Sequence, residues 1–187
     1  RGELLEALSS EIKKDVSDVK IHSLQSDLVD DNQLRDFLEA VHLLGPDPDL
    51  LINNAGIGDY GDIVSSDWQK VETMMRLNME VLTHVTHALL PGMINQRGGS
   101  IVNVSSLASI LPIPDFAVYA ATKAYVTSFS EALRIEMIEH GIKVLALCPG
   151  PVHTGFGKVA QRHEPNNVTP GGESVYVDAK QVVEEAI

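Results

Sequence analysis

Apolar positions along this chain alternate between two periods. From Gly2 to Asp15, Leu4, Leu5, Leu8 and Ile12 recur at helical spacing, whereas Val19-Lys-Ile-His-Ser-Leu24 alternates as a strand does and ends in Gln25-Ser-Asp27-Leu28. Asp30, with Gln33 three residues on, predicts a capped helix that runs to about Leu44 and stops at Gly45-Pro-Asp-Pro48. Asp49 to Asn53 reads as a short buried strand. Ser66-Asp-Trp-Gln69 opens a long helix with its cap at Ser66, reaching roughly Gln96 before Gly98-Gly99. A strand at 100–104, a helix from about Asp115 to His140 and a strand at 142–147 follow, with Gly141 between the last two. From Pro149 to Gly172 the chain is rich in Pro, Gly, Asn and His and reads as a long loop; Asp178 to Ile187 begins another helix. Strand and helix patterns in alternation predict an α/β fold with a parallel sheet. No internal repeat or low-complexity tract interrupts it.

Four polar turns, after Asp27, Asn53, Ser106 and Pro149, fall at the carboxyl ends of proposed strands, the edge of an open parallel sheet where ligands bind. Tyr119-Ala-Ala-Thr-Lys123 sets a phenol and an ammonium one helical turn apart, and Ser106 stands 13 positions upstream (119 − 106) at the end of a strand-like run. These are parts of a proton-transfer site. Spacing alone is weak evidence: with four tyrosines, a chance Tyr-x-x-x-Lys turns up in about one such chain in six. Tyr176-Val-Asp-Ala-Lys180 repeats the spacing with no strand ahead of it, and reads as a coincidence at a helix start.

In this order and spacing, Asn53-Asn54-Ala55-Gly56, Asn78, Ser106, Tyr119-x-x-x-Lys123 and Pro149-Gly150 resemble the short-chain dehydrogenase/reductase family, over about Leu24 to Thr154. The resemblance implies a doubly wound, Rossmann-like parallel sheet in a three-layer α/β/α single domain spanning 1–187. It also implies a nicotinamide cofactor and hydride exchange between an alcohol and a ketone or aldehyde. Its catalytic residues would be Asn78, Ser106, Tyr119 and Lys123. Lys123 would lower the Tyr119 phenol from its usual pKa near 10, Ser106 would hydrogen-bond the substrate oxygen, and Asn78 would hold a water behind Lys123. The cofactor would lie along Asp27 and Leu28 at the adenine, Asn53, Ala55 and Gly56 at the adenosine ribose, Tyr119 and Lys123 at the nicotinamide ribose, and Pro149, Gly150, Val152 and Thr154 at the carboxamide. Residues 151–177 would form the substrate loop, with Ile110, Pro112 and Phe116 also facing the substrate. The family's glycine-rich unit would precede Arg1, so the chain reads as partial. Arg1 as the end of a basic patch favours NADP over NAD.

Two other patterns are weighed and set aside. Gly56-Ile-Gly58-Asp-Tyr-Gly61 spells a G-x-G-x-x-G phosphate loop, but 62–65 intervene before the helix cap, so no helix N-terminus faces the phosphates. His84 and His87, three apart, lack a third ligand, and no metal is expected.

Composition narrows the remaining classes. With 187 residues, 44% of them apolar and a net charge of −12, the chain suits one globular domain and repels nucleic acid. No apolar run approaches the ~18 residues of a membrane span, and Cys148, the single cysteine, suits a reducing, cytoplasmic setting. The expected partners are a small carbonyl or alcohol and a second copy of the chain, in a homodimer or homotetramer joined by the long helices. A non-catalytic binding protein on the same scaffold is the competing reading.

Overall fold

The computed structural model describes residues 2–162 and 176–186, in two compact units divided after Gly45. In the first, α1 (Gly2–Asp15) keeps the helical stripe, though Leu4, Leu8 and Ile12 stay exposed. Helix α2 (Asp31–Leu43) is capped by Asp30, whose carboxylate accepts the Gln33 N–H at 2.9 Å. Gln33 does not return the bond to the cap; its amide oxygen accepts the Asp27 N–H at 2.9 Å and so ties the preceding turn to the helix. The strand expected at Val19–Leu24 is absent. That stretch is non-regular, because a strand exists only in a ladder and the unit offers none to join.

The second unit holds a three-stranded parallel sheet in the order β1 (Leu50–Asn53), β2 (Gly99–Val104), β3 (Ile142–Leu147). Leu51, Ile101 and Val144 lie side by side across the register, and Ile52, Val102 and Leu145 share the other face. The first face packs on helices: Met93 of α4 (Leu82–Gln96) and Leu133 of α5 (Ala117–Glu136) join Ile101, Ile142 and Val144 in the core. All strands being parallel, their carboxyl ends meet at one edge.

Towards that edge the core turns polar. Asn53 Nδ2 donates to Asn103 Oδ1 at 2.8 Å and to Thr86 Oγ1 at 2.9 Å, and Asn103 Nδ2 donates to Ser130 Oγ at 2.9 Å. Thr86 and Ser130 pass their own hydrogens to Leu82 O and Val126 O, so the chain of bonds ends on helix carbonyls. β1, β2, α4 and α5 are thereby locked in register. Breaking the chain would strand buried donors, each costing about 1–3 kcal/mol. Asn103→Ala is therefore expected to destabilise the fold by about 2–4 kcal/mol, read as a lower denaturant midpoint with an unchanged slope.

The long helix predicted from Ser66 is three pieces. Asp67, not Ser66, caps α3 (Trp68–Met75), its carboxylate accepting the Gln69 N–H at 3.0 Å. A π-helical turn at Arg76–Val81 then leads into α4 with helical dihedrals at both joints. Helix α5 starts at Ala117 rather than Asp115 and ends at Glu136, followed by a 3₁₀ turn at Ile138–His140. Within the predicted loop, Phe156–Ala160 forms a short helix, α6; the loop's residues 163–172 lie outside the described residues. Helix α7 (Ala179–Ala186) closes the described chain, and among the described residues no helix is long and apolar enough to cross a membrane.

Candidate active site

The carboxyl edge of β2 and the first turns of α5 bring together three of the expected residues. Tyr119 and Lys123 face inward from α5, only 7% and 6% exposed, with the Lys123 Nζ 5.7 Å from the Tyr119 ring centre. The Lys123 ammonium donates to Val104 O, the last carbonyl of β2, at 2.7 Å. Ser106 follows that strand; its hydroxyl accepts the Ala108 N–H at 3.1 Å and lies close enough to the Tyr119 phenol to favour its ionised form. Ser105, its neighbour, points the other way: its buried hydroxyl donates to Lys123 O at 2.9 Å and pairs with Thr127 at 2.7 Å. The two serines thus divide the work, one fastening strand to helix and one facing the phenol.

Asn78 explains the π turn. A helix-interior asparagine is unfavourable unless its amide is used, and a π bulge re-aims a side chain. Only 1% exposed, Asn78 accepts the Ile57 N–H at 3.0 Å and donates to Ile57 O at 2.9 Å and to Thr122 Oγ1 at 3.0 Å. It clamps the turn after β1 to α5. Gly56 sits in that clamp; a Cβ there would stand 3.2 Å from Asn78 Oδ1 and 3.6 Å from Lys123 Nζ.

The electrostatics depart from the expectation drawn from the helix spacing. Burial raises the Tyr119 phenol above its ordinary value, and the nearby Ser106 hydroxyl only partly offsets that. Lys123 is itself desolvated, which brings its ammonium down to about 8, with Cys148 pulling the other way. A desolvated cation aimed at Val104 O does not lower the phenol. Aromatic rings account for much of the burial: Phe116 and Phe156 lie 4.5 and 5.4 Å from the Tyr119 ring, and Tyr60 packs edge-on to Phe116. Of the other residues expected at the substrate, Ile110 and Pro112 are exposed.

The cofactor residues divide. Ala55 is exposed beyond β1 and Gly150 beyond β3, on the edge that Lys123 shares, and a Cβ on Gly150 would meet nothing within 4 Å. Pro149 O accepts the Leu107 N–H at 2.8 Å. Val152 forms a bridge with Val177 in which His153 N–H and Pro151 O make the bonds, so its own N–H and C=O point away from that pair. The Thr154 hydroxyl accepts the Phe156 N–H at 3.2 Å in the turn ahead of α6. Asn53 spends both amide hydrogens inside the core, so its side chain serves the sheet rather than a ligand. Asp27 and Leu28 belong to the first unit, where the Asp27 carboxylate accepts the Val29 N–H. Sidedness and donor set, a buried ammonium beside an open edge, fit the nicotinamide-riboside half of a dinucleotide.

The glycines of the G-x-G-x-x-G stretch serve close packing. A Cβ on Gly58 would meet the Phe156 ring at 2.7 Å, and one on Gly61 (φ +148°) would meet the Arg162 guanidinium at 2.7 Å. Between them Asp59 is buried and paired with both Arg162 and Lys70, residues that the sequence pattern did not single out. Beside it lies a cavity of about 130 Å³ bounded by Asp59, Met74, Asp115, Val118 and Arg162. It is smaller than ligand pockets usually are, and it does not reach the Tyr119 side chain. The second Tyr-x-x-x-Lys pair does not share a helix: Tyr176 precedes α7 and packs on His153, and Lys180 is exposed beside Glu184. Among the described residues no group of three His, Cys, Asp or Glu side chains is placed to hold a metal ion.

A buried tyrosine and lysine and a half-buried serine meet at the carboxyl edge of a parallel sheet, a set of groups chemically able to pass a proton. Known proteins place the chain accordingly. The family model described as short chain dehydrogenase matches residues 1–165, and this chain belongs to that family. Serine 3-dehydrogenase of Agrobacterium fabrum is 34% identical over 83% of this chain and 61% of its own length. A very-long-chain 3-oxoacyl-CoA reductase-like protein of Arabidopsis thaliana is 32% identical over 94% of this chain and 57% of its own. Among solved structures, a short-chain dehydrogenase from Sphingobium yanoikuyae in complex with NADPH superposes with a TM-score of 0.85 at 27% identity. That match covers 99% of this chain and 69% of the other. The fold is Rossmann-like. The chain thus spans about three-fifths of the length of the first curated relatives it matches.

Proposed function

We propose that this chain carries the proton-transfer half of a nicotinamide-dependent carbonyl reductase, with Tyr119 as general acid and, in reverse, general base. The observation that carries the reading is the Tyr119 phenol, buried beside Lys123 and close to the Ser106 hydroxyl at the ligand edge of the sheet. A phenol kept protonated by burial suits the reductive direction, since it has a proton to give at neutral pH. Ser106 donates to the substrate oxygen as charge develops there. Lys123 holds the ribose beside the phenol, and Asn78 keeps the Gly56 turn open to it. Bound nicotinamide supplies the hydride. Ala55, Gly56, Pro149, Gly150, Val152 and Thr154 line its side of the edge.

NADPH is favoured over NADH, in keeping with the cofactor named for the Sphingobium neighbour. The rings around Tyr119 favour a substrate with an apolar group beside its carbonyl. Assembly as a homodimer or homotetramer and a cytoplasmic location belong to the same reading. Titration of the full chain with NADPH is expected to raise its melting temperature and quench nicotinamide fluorescence. Neither change at millimolar NADPH would favour a non-catalytic scaffold.

A further inference from the structure

We propose that Asp59 and Arg162 form a positioning clasp that seats Phe156 against Tyr119; the inference rests on the reductase reading above and adds a specificity-determining element to it. Asp59 lies in the turn after β1, and Arg162 stands 103 positions later, two residues past α6. The Arg162 Nε and Nη2 donate to the two Asp59 carboxylate oxygens at 3.1 and 2.5 Å. The same guanidinium donates to Asp62 O at 2.8 Å, Ser65 Oγ at 2.7 Å and Ser66 Oγ at 2.6 Å. Lys70 closes the ring, 3.0 Å from Asp59 Oδ1 and 3.3 Å from Val159 O of α6.

This is more than a surface ion pair. The Asp59 side chain is 3% exposed, and its carboxyl is held below the ordinary value although burial alone would raise it, because Arg162 and Lys70 hydrogen-bond it. A buried charge with that many donors is tied in place, and removing either partner strands the other. The backbone follows the same line: Tyr60 N–H donates to Ala160 O at 2.8 Å, and Gly61 N–H to Asp115 O at 2.8 Å. The clasp therefore holds α6 at its carboxyl end while Phe156, at the amino end, packs on the Tyr119 ring and over Gly58. Only residues 157–161, four of them helical, separate the contact from the anchor, too few to absorb a displacement. Where Arg162 is fixed, Phe156 is fixed, and with it one wall beside the phenol.

Amide hydrogen exchange in Arg162→Gln reads the tether directly. The Tyr60 and Gly61 amides are expected to exchange about tenfold faster than in the unaltered chain, while the melting shift on NADPH addition is kept. With NADPH and 4-nitrobenzaldehyde as the assay, KM should rise about tenfold and kcat change by less than about threefold. Arg162→Lys, which keeps one charge–charge contact with Asp59, should recover part of both effects. Phe156→Ala should reproduce the KM rise with the Tyr60 and Gly61 amides still protected, which a merely stabilising ion pair would not predict. If Arg162→Gln does not fold, Asp59→Asn, which keeps an acceptor and the shape, takes its place. Unchanged exchange overturns the tether, and faster exchange with an unchanged KM overturns its role at the site. Failure of the unaltered chain to bind NADPH overturns the reductase reading instead, and exchange still decides the clasp.

Discussion

Tyr119→Phe is expected to cut kcat/KM for carbonyl reduction by about 10²–10⁴ while leaving NADPH affinity within about threefold. The substitution removes one oxygen and nothing else of consequence. Phe116 and Phe156 keep their ring partner at 4.5 and 5.4 Å, so the aromatic wall stands. Lys123 bonds Val104 O and Asn78 bonds Ile57, contacts in which the phenol takes no part. What is lost is the proton donor, and at 1.36 kcal/mol per decade the loss corresponds to about 3–5 kcal/mol of transition-state stabilisation. The fold should tolerate the change, since the ring and its packing stay and the phenol is already desolvated. Steady-state kinetics beside a thermal melt separates the outcomes. Turnover within tenfold of the unaltered protein, in a chain that melts normally, would remove Tyr119 from the chemistry.

The residues of that site were legible because each lies where a period changes. Asn53, Ser106 and Pro149 end apolar strand runs, and Tyr119 with Lys123 opens a helical one. Parallel strands then carry the ends of those runs to one edge. Ser106 and Ser105 were harder to tell apart, since adjacent residues leaving a strand point to opposite sides. Only the Ser105 bonds to Lys123 O and Thr127 show which way each faces. Asn78 was visible as an oddity, a poor helix former in mid-helix; its clamp on Ile57 depends on a π turn that no periodicity announces.

Three features were not legible, each for a physical reason. Val19–Leu24 alternates like a strand, but alternation describes one chain and a strand needs two. The G-x-G-x-x-G stretch has the letters of a phosphate loop, yet its glycines make room for Phe156 and Arg162, which lie about a hundred positions away. Asp59 and Arg162 are ordinary surface letters taken singly, and burial turns them into a pair. The phenol expectation failed for a related reason. Helical spacing predicts that Lys123 stands near Tyr119 but says nothing about water, and its absence raises the phenol and lowers the ammonium.

That lowered ammonium yields the second large effect. Lys123→Met is expected to cost about 10²–10³ in kcat/KM and yet to make the protein more stable at pH 7. Burial moves Lys123 from 10.5 to about 8, a difference of about 2.5 units (10.5 − 8). At 1.36 kcal/mol per unit, the folded state bears about 3 kcal/mol for holding that proton below pH 8. Below 8 both folded and unfolded chains are protonated and the cost is present in full. Between 8 and 10.5 the folded chain gives up its proton first, so the unfolded state binds more protons and stability rises with pH. Above 10.5 both are neutral and the term is gone. Methionine has a similar length and no charge, so it removes the cost but also the bond to Val104 O, worth about 1 kcal/mol. A net gain of about 2 kcal/mol is expected at pH 7, shrinking to nothing or reversing by about pH 10.5. Denaturant melts of both proteins at several pH values test it. A methionine variant less stable at pH 7, or an advantage that does not shrink with rising pH, would show that Lys123 carries no buried-charge cost. With the expected result, the same desolvation that weakens the fold is what leaves the ammonium free of solvent and directed at the ligand edge.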